Sequence, residues 1–151
     1  MLKISKLTDY ATVILSYLMQ DPDRIASATA ISGQVHLAVP TVSKILKILA
    51  ESGLVISFRG TGGGYQLARA ANEITLASVV TAIEGRLAIT ECCEIINSCV
   101  LDSLCSIKDN WKVINKMILQ ALDQITLSDM GKPLQTQALK GIPIVVKTSK
   151  A

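Results

Sequence analysis

A chain of 151 residues that is half hydrophobic but only 3% aromatic has length for one domain or two small ones, and its Leu, Ile, Val and Ala content suits a helical core. Its formal net charge is +3, spread unevenly. Residues 1–71 carry seven Lys/Arg against four Asp/Glu, residues 72–130 carry four against eight, and residues 131–151 carry four lysines and no acid. A basic first part joined to an acidic second part suggests that the first meets a polyanion. The opening Met1-Leu2-Lys3-Ile4-Ser5-Lys6 has no long apolar run with a small-residue cleavage site, and Asp9, Asp21 and Asp23 interrupt a membrane-spanning reading of the first helix. A cytoplasmic protein without a membrane segment is expected.

Ile4, Leu7, Ala11, Ile14, Leu15 and Leu18 recur at three and four residues and predict an amphipathic helix over 5–19, with Ser5 as N-cap. Ser5, Asp9, Thr12 and Ser16 fall on its other face, and Asp21-Pro22-Asp23 ends it. Ser27 to Gln34 reads as a short second helix and Val35-His36-Leu37-Ala38 as a turn. Pro40 opens a third helix at its first position, with Val42, Ile45, Leu46 and Leu49 inward and Gly53 closing it. Two helices joined by a short turn form a helix-turn-helix pattern. Thr41, Ser43, Lys44 and Lys47 avoid the apolar stripe of the third helix, where they suit base edges or phosphates as well as a solvated face.

Leu54 to Phe58 and Tyr65 to Leu67 are short β-prone runs around Arg59-Gly60-Thr61-Gly62-Gly63-Gly64, which predicts a hairpin with a glycine-rich tip, a wing. A phosphate-cradling loop fits poorly, because this tip joins two strands and lacks a Gly-Lys-Ser/Thr ending. Asn72 to Glu84, capped by Thr75 and stopped by Gly85, forms a fourth helix. Ile107, Trp111, Ile114, Ile118, Ala121, Leu122 and Ile125 keep helical spacing for about five turns. A helix this long at the end of a small domain can bury both sides by packing on a second copy, the alternative being that Trp111 and this stripe belong to the protomer's own core. Residues 131–151, with Gly131-Lys132-Pro133 and Gly141-Ile142-Pro143, read as a flexible basic tail.

All four cysteines lie between Glu91 and Cys105. Five residues separate Cys93 from Cys99 and five more separate Cys99 from Cys105. A six-residue step turns about 600° around a helix and scatters the thiols, so they converge only if this segment loops. Converging thiols form a disulfide framework or a metal site, and a reducing compartment favours metal or redox sensing. An oxidoreductase reading lacks a Cys-x-x-Cys and a second acid/base constellation.

Leu7 to Ala11, the wing Arg59 to Arg69, the three evenly spaced cysteines and the helical end Ile125-Thr126-Leu127-Ser128-Asp129 together resemble the Rrf2 family of winged-helix transcription regulators over residues 1 to 130. The opening Ser5 to Thr12 looks closest to regulators of the SUF cluster-assembly operon. The resemblance implies a mainly α fold with a small β-hairpin wing, in which a winged helix-turn-helix is followed by a long dimerisation helix. It divides the chain into a DNA-binding part (1–71), a cluster-binding loop with dimerisation helix (72–130) and the tail. It also implies a homodimer on a double-stranded DNA operator, a repressor of SUF-type genes with no small-molecule substrate. Pro40, Thr41, Ser43, Lys44, Lys47, Arg59, Gly60 and Thr61 are its candidate DNA contacts.

Carried over by position, Cys93, Cys99 and Cys105 ligate an iron–sulfur cluster, 2Fe-2S in preference to 4Fe-4S, and Cys92 has no counterpart. Where some members place a histidine ligand this chain has Lys108, and its single histidine, His36, is in the DNA-binding half. The first-helix aspartate that serves other members across the dimer corresponds to Asp9, whose alternative is a solvated carboxylate favoured by the helix dipole. Other readings within the regulator class are a nitric-oxide or redox response, a structural zinc, and a thiol switch.

Overall fold

A computed structural model of the protein describes residues 3–94, 99–101 and 103–134. The Ser5 hydroxyl accepts a hydrogen bond from the Thr8 N–H at 3.3 Å and starts α1, Lys6–Leu18. Ser27 does the same for Ala30, at 3.1 Å, ahead of α2, Ala28–Val35. The third helix, α3, is Val39–Glu51. It begins one residue before the expected start, with Pro40 in the first turn, where its missing N–H has no helical partner to lose. His36 ends α2 with φ 55, the left-handed cap that usually takes glycine, and the Ser32 hydroxyl donates to the Leu37 carbonyl at 2.5 Å across the turn.

Strands β1, Val55–Phe58, and β2, Gly64–Leu67, pair antiparallel with Val55 opposite Leu67 and Phe58 opposite Gly64. The hairpin is anchored by a third segment: Ala26 donates to the Tyr65 carbonyl at 3.0 Å and accepts from the Tyr65 N–H at 2.8 Å. This contact fixes residue 64. A Cβ there would lie 2.5 Å from the Ala26 carbonyl oxygen, so the wing seats on the α1–α2 connection only with glycine.

The expected helix from Asn72 is two pieces, a single 3₁₀ turn at Ala71–Glu73 and then α4, Leu76–Glu84, capped by Thr75 and stopped at Gly85 with φ 80. Ile74 lies between the two pieces and is fully buried. The last long helix, α5, is Lys108–Asp123, shorter than its periodicity suggests. The chain breaks at Gln124 to pair with residues 74–76, through Leu76 N–H to the Ile125 carbonyl and Leu127 N–H to the Ile74 carbonyl, both 2.8 Å. It then forms α6, Leu127–Met130, with a capping box between Thr126 and Asp129. Tertiary pairing overrides the helical spacing here, because Leu127 reaches the core only if the helix stops.

The core joins Ala11, Ile14 and Leu15 of α1 to Val42, Ile45, Leu46 and Leu49 of α3, with Ile31, Ile74 and Leu127 closing it. The fold is mostly helical with a two-stranded antiparallel wing, as expected. Among the described residues no helix is long and apolar enough to cross a membrane. The tail expected at 131–151 lies, beyond residue 134, outside the described residues.

Truncating Leu127, only 1% exposed, to Ala leaves a core cavity and should lower the unfolding free energy by about 2–5 kcal/mol in urea titration. Gly64→Ala should unseat the wing, seen as faster proteolysis within 58–66, while the far-ultraviolet helical signal of α1 to α5 stays.

Candidate nucleic-acid interface and cysteine segment

Helix α3 packs on α1, α2 and α4 through Val42, Ile45, Leu46 and Leu49, and this fixes what its other side shows. Pro40, Lys44 and Lys47 are exposed there, while Thr41 and Ser43 are half-buried at the edge of the stripe. The wing tip exposes Arg59, Gly60 and Thr61. Gly60 has φ 102 and its carbonyl accepts from the Gly63 N–H at 3.0 Å, so a tight turn carries the arginine. Helix face and tip together present two exposed lysines and one exposed arginine, an arrangement suited to phosphate backbone.

The cysteines follow Gly85. The connection from α4 is held by Asn115, a buried amide on α5, which donates to the Leu87 carbonyl at 3.2 Å and accepts from the Ile89 N–H at 3.1 Å. The next turn, Glu91–Cys93, sets the Thr90 hydroxyl 3.1 Å from the Cys92 sulfur and 3.2 Å from that of Cys93. Both thiols line a cleft of about 420 Å³ whose walls also carry Arg86, Lys112 and Lys116. Cys92 is buried; Cys93, Cys99 and Cys105 are half-buried, and all four are free thiols. Residues 95–98 and 102, inside the loop, lie outside the described residues.

Three free thiols, of which Cys93 shares its cleft with Arg86, Lys112 and Lys116 as well as Glu94, have the donor chemistry an iron–sulfur cluster takes, soft and anionic. Among the described residues, however, no three of His, Cys, Asp and Glu are gathered closely enough in one chain to hold a metal. Cys92 and Cys93 share a hydroxyl partner; Cys99 and Cys105 do not join them there. Asp9 is exposed on α1 and lies along a separate groove of about 400 Å³ beside Leu76, Val80 and Leu122. Lys108, at the start of α5, is half-buried.

Glu84, Thr8 and Asn115 had no part in the sequence reading. Glu84 is at the last position of α4, where the helix dipole disfavours a carboxylate. The mismatch is resolved by α1: Glu84 Oε1 accepts from the Ser5 N–H at 3.1 Å and from the Thr8 hydroxyl, so the carboxylate faces a helix N-terminus instead. Hydrogen bonds from Ser5 and then Thr8 hold its carboxyl below the ordinary value, against a smaller effect of burial. An acid ending a helix was the available signal. For Asn115 the signal was a polar side chain on the Trp111–Ile118 stripe.

The sequence profile described as Rrf2, iron-dependent transcriptional regulator, matches residues 4–133. The chain belongs to the Rrf2 family. It is 29% identical over 131 residues to the HTH-type transcriptional regulator NsrR of Halalkalibacterium halodurans, covering 85% of this chain and 90% of that one. The solved structure of T. potens IscR superposes with a TM-score of 0.64 at 29% identity, covering 85% of each chain. CymR of B. subtilis superposes at 0.67 with 24% identity, over 89% of this chain and all of that one, which is a likeness of fold. This Rrf2 protein is therefore a DNA-binding transcription regulator and not an enzyme.

Removing the Asn115 side chain from the Rrf2 fold by Asn115→Ala leaves the Leu87 carbonyl and Ile89 N–H unpaired and should destabilise it by about 1–3 kcal/mol in denaturant unfolding. Glu84 gives a pH signature. Its carboxyl is lowered in the folded state, so its stabilisation is complete above the ordinary value of 4.5 and is lost as pH falls through the folded value. The melting-temperature gap between wild type and Glu84→Gln should be widest near neutrality and should close below pH 4.5; a gap that widens in acid would contradict the assignment.

Proposed function

We propose that this chain is a homodimeric repressor of iron–sulfur cluster assembly genes of the SUF type, which reads a double-stranded operator and senses through an iron–sulfur cluster, 2Fe-2S rather than 4Fe-4S. The observation that carries the reading is the combination, in one Rrf2 chain, of an exposed basic face on α3 and wing with three free, evenly spaced cysteines. The opening Ser5 to Thr12 supports the SUF assignment.

Pro40, Thr41, Ser43, Lys44 and Lys47 place α3 in a major groove, and Arg59, Gly60 and Thr61 bring the wing to the flanking minor groove or backbone. Residues 1–71 act as the DNA-binding part, and residues 72–130 carry sensing and dimerisation. On α5, Trp111, Val113, Ile114 and Met117 are all more than a third exposed. Such an apolar face on a sixteen-residue helix is suited to a second copy. Cys93, Cys99 and Cys105 would hold the cluster, and Asp9 of the second copy is the candidate fourth ligand, consistent with its outward position on α1. The bound cluster supplies a sensitivity to iron, oxygen and nitric oxide that the apo-protein lacks. Arg86, Lys112 and Lys116 offset the negative charge of the thiolates. A second reading, a nitric-oxide- or redox-responsive regulator of the same family, is favoured by the 29% identity to the regulator named NsrR.

Absorption spectra of anaerobically purified protein test the sensor. Visible charge-transfer bands are expected, lost in Cys93→Ala, Cys99→Ala and Cys105→Ala and kept in Cys92→Ala; a colourless, metal-loaded protein would instead mean zinc. A mixed dimer with Asp9→Ala on one chain and Cys99→Ala on the other should keep one wild-type site if the carboxylate crosses between copies. On DNA, Arg59→Ala should weaken operator binding by roughly 1–3 kcal/mol. Lys47→Ala should weaken all sequences alike and flatten the salt dependence. Unchanged affinity and salt slope in both variants would remove the docking geometry.

A further inference from the structure

We propose that Glu84 is a positioning residue that ties the state of the cysteine segment to helix α1, and through α1 to the DNA-reading helix; the proposal rests on the cluster-sensing reading above. Two chemically distinct parts of the molecule meet at this carboxylate. On one side it ends α4, one residue before Gly85, whose φ of 80 turns the chain into the cysteine segment. On the other side it receives the Ser5 N–H at 3.1 Å and the hydroxyl of Thr8, a buried polar residue 2% exposed. Ser5 is also the N-cap of α1, so one carboxylate and one cap share the same helix start.

The connection between Glu84 and the thiols is held at both of its middle positions. Asn115 binds the backbone at Leu87 and Ile89, and Thr90 follows with its hydroxyl on the Cys92 and Cys93 sulfurs. The approach to the cysteine turn is therefore tied to α5 at two points, and a shift of that turn together with its Asn115 anchor would carry Gly85 and Glu84 with it. Beyond Glu84, α1 packs directly on α2 and α3. Asp9 lies four residues after Ser5, so the helix start gripped by Glu84 is also the one that bears the candidate fourth ligand. Coupling between two sites needs an element whose arrangement both sites bias. The α1 N-terminus, gripped by Glu84, is that element.

The test uses the full-length dimer of wild type, Glu84→Ala and Glu84→Gln, each with the cluster loaded anaerobically and after its removal by chelator. For each form the operator affinity is measured, together with the visible spectrum and amide exchange over residues 5–12. Intersite couplings commonly amount to about 5–150-fold in affinity. Glu84→Ala should keep the visible spectrum while the loaded-to-stripped affinity ratio falls at least about threefold toward unity, and Ser5 N–H exchange should quicken about tenfold. Glu84→Gln, which keeps the acceptor oxygen, should restore part of the ratio. A wild-type ratio in Glu84→Ala with its cluster intact overturns the proposal. If the wild type takes up no cluster, or binds DNA equally with and without it, the sensing reading fails by itself. The exchange then decides for Glu84: wild-type protection of residues 5–12 in Glu84→Ala overturns its role, and faster exchange keeps it as the clamp on α1.

Discussion

The apolar stripe of α1 is the surface against which the rest of the molecule is assembled. Ala11, Ile14 and Leu15 are fully buried and Leu18 nearly so, and α2, α3, α4, α6 and the second wing strand all pack on this helix. Burial of such side chains, each worth about 1.5–3 kcal/mol relative to exposure, provides the gradient that brings distant segments together. Everything offered to a partner then follows by exclusion: the basic side of α3 faces out because its other side meets α1, and Asp9 is exposed because the stripe is spent on the core.

Several of the polar contacts sit at junctions between elements. Ser5, Ser27, Thr75 and Thr126 each accept from the backbone N–H three residues on and fix where a helix begins. Thr75 also donates to Asp123 at 3.0 Å, joining the start of α4 to the end of α5. Glu84 joins the end of α4 to the start of α1, and Asn115 joins α5 to the cysteine approach. These bonds add modest stability one by one. Their larger effect is geometric, since they set how the cysteine segment and α3 sit on a common frame.

A basic reading face and a thiol-bearing segment on one small core fit a regulator whose affinity responds to its surroundings. In the single chain Asp9 and the described thiols of the cysteine turn are separate: Asp9 borders one groove and Cys92 and Cys93 another. In the dimer proposed above, with α5 at its centre, an exposed carboxylate of one copy would be brought to the thiols of the other. The apolar side chains exposed on α5 would supply area for that proposed association.

Local signals in the sequence determined most of the helices, the turn and the wing. Apolar spacing at three and four residues, Ser5 and Ser27 as caps and the glycine run between two β-prone segments each act over a few residues and need no tertiary context. The four clustered cysteines and the Arg59 tip were legible for the same reason. What the tertiary structure decided was where distant backbone meets. The break after Asp123 depends on Ile74 and Leu76, about fifty residues earlier, taking up the backbone hydrogen bonds of Ile125 and Leu127. Gly64 is required by Ala26, and Glu84 is tolerated at a helix end because the N-terminus of α1 lies against it. Half-burial of Thr41 and Ser43 likewise depends on how α3 rolls against its neighbours. None of these is encoded in local periodicity, because each is a contact between residues remote in sequence whose energies count only once the apolar core has placed them side by side.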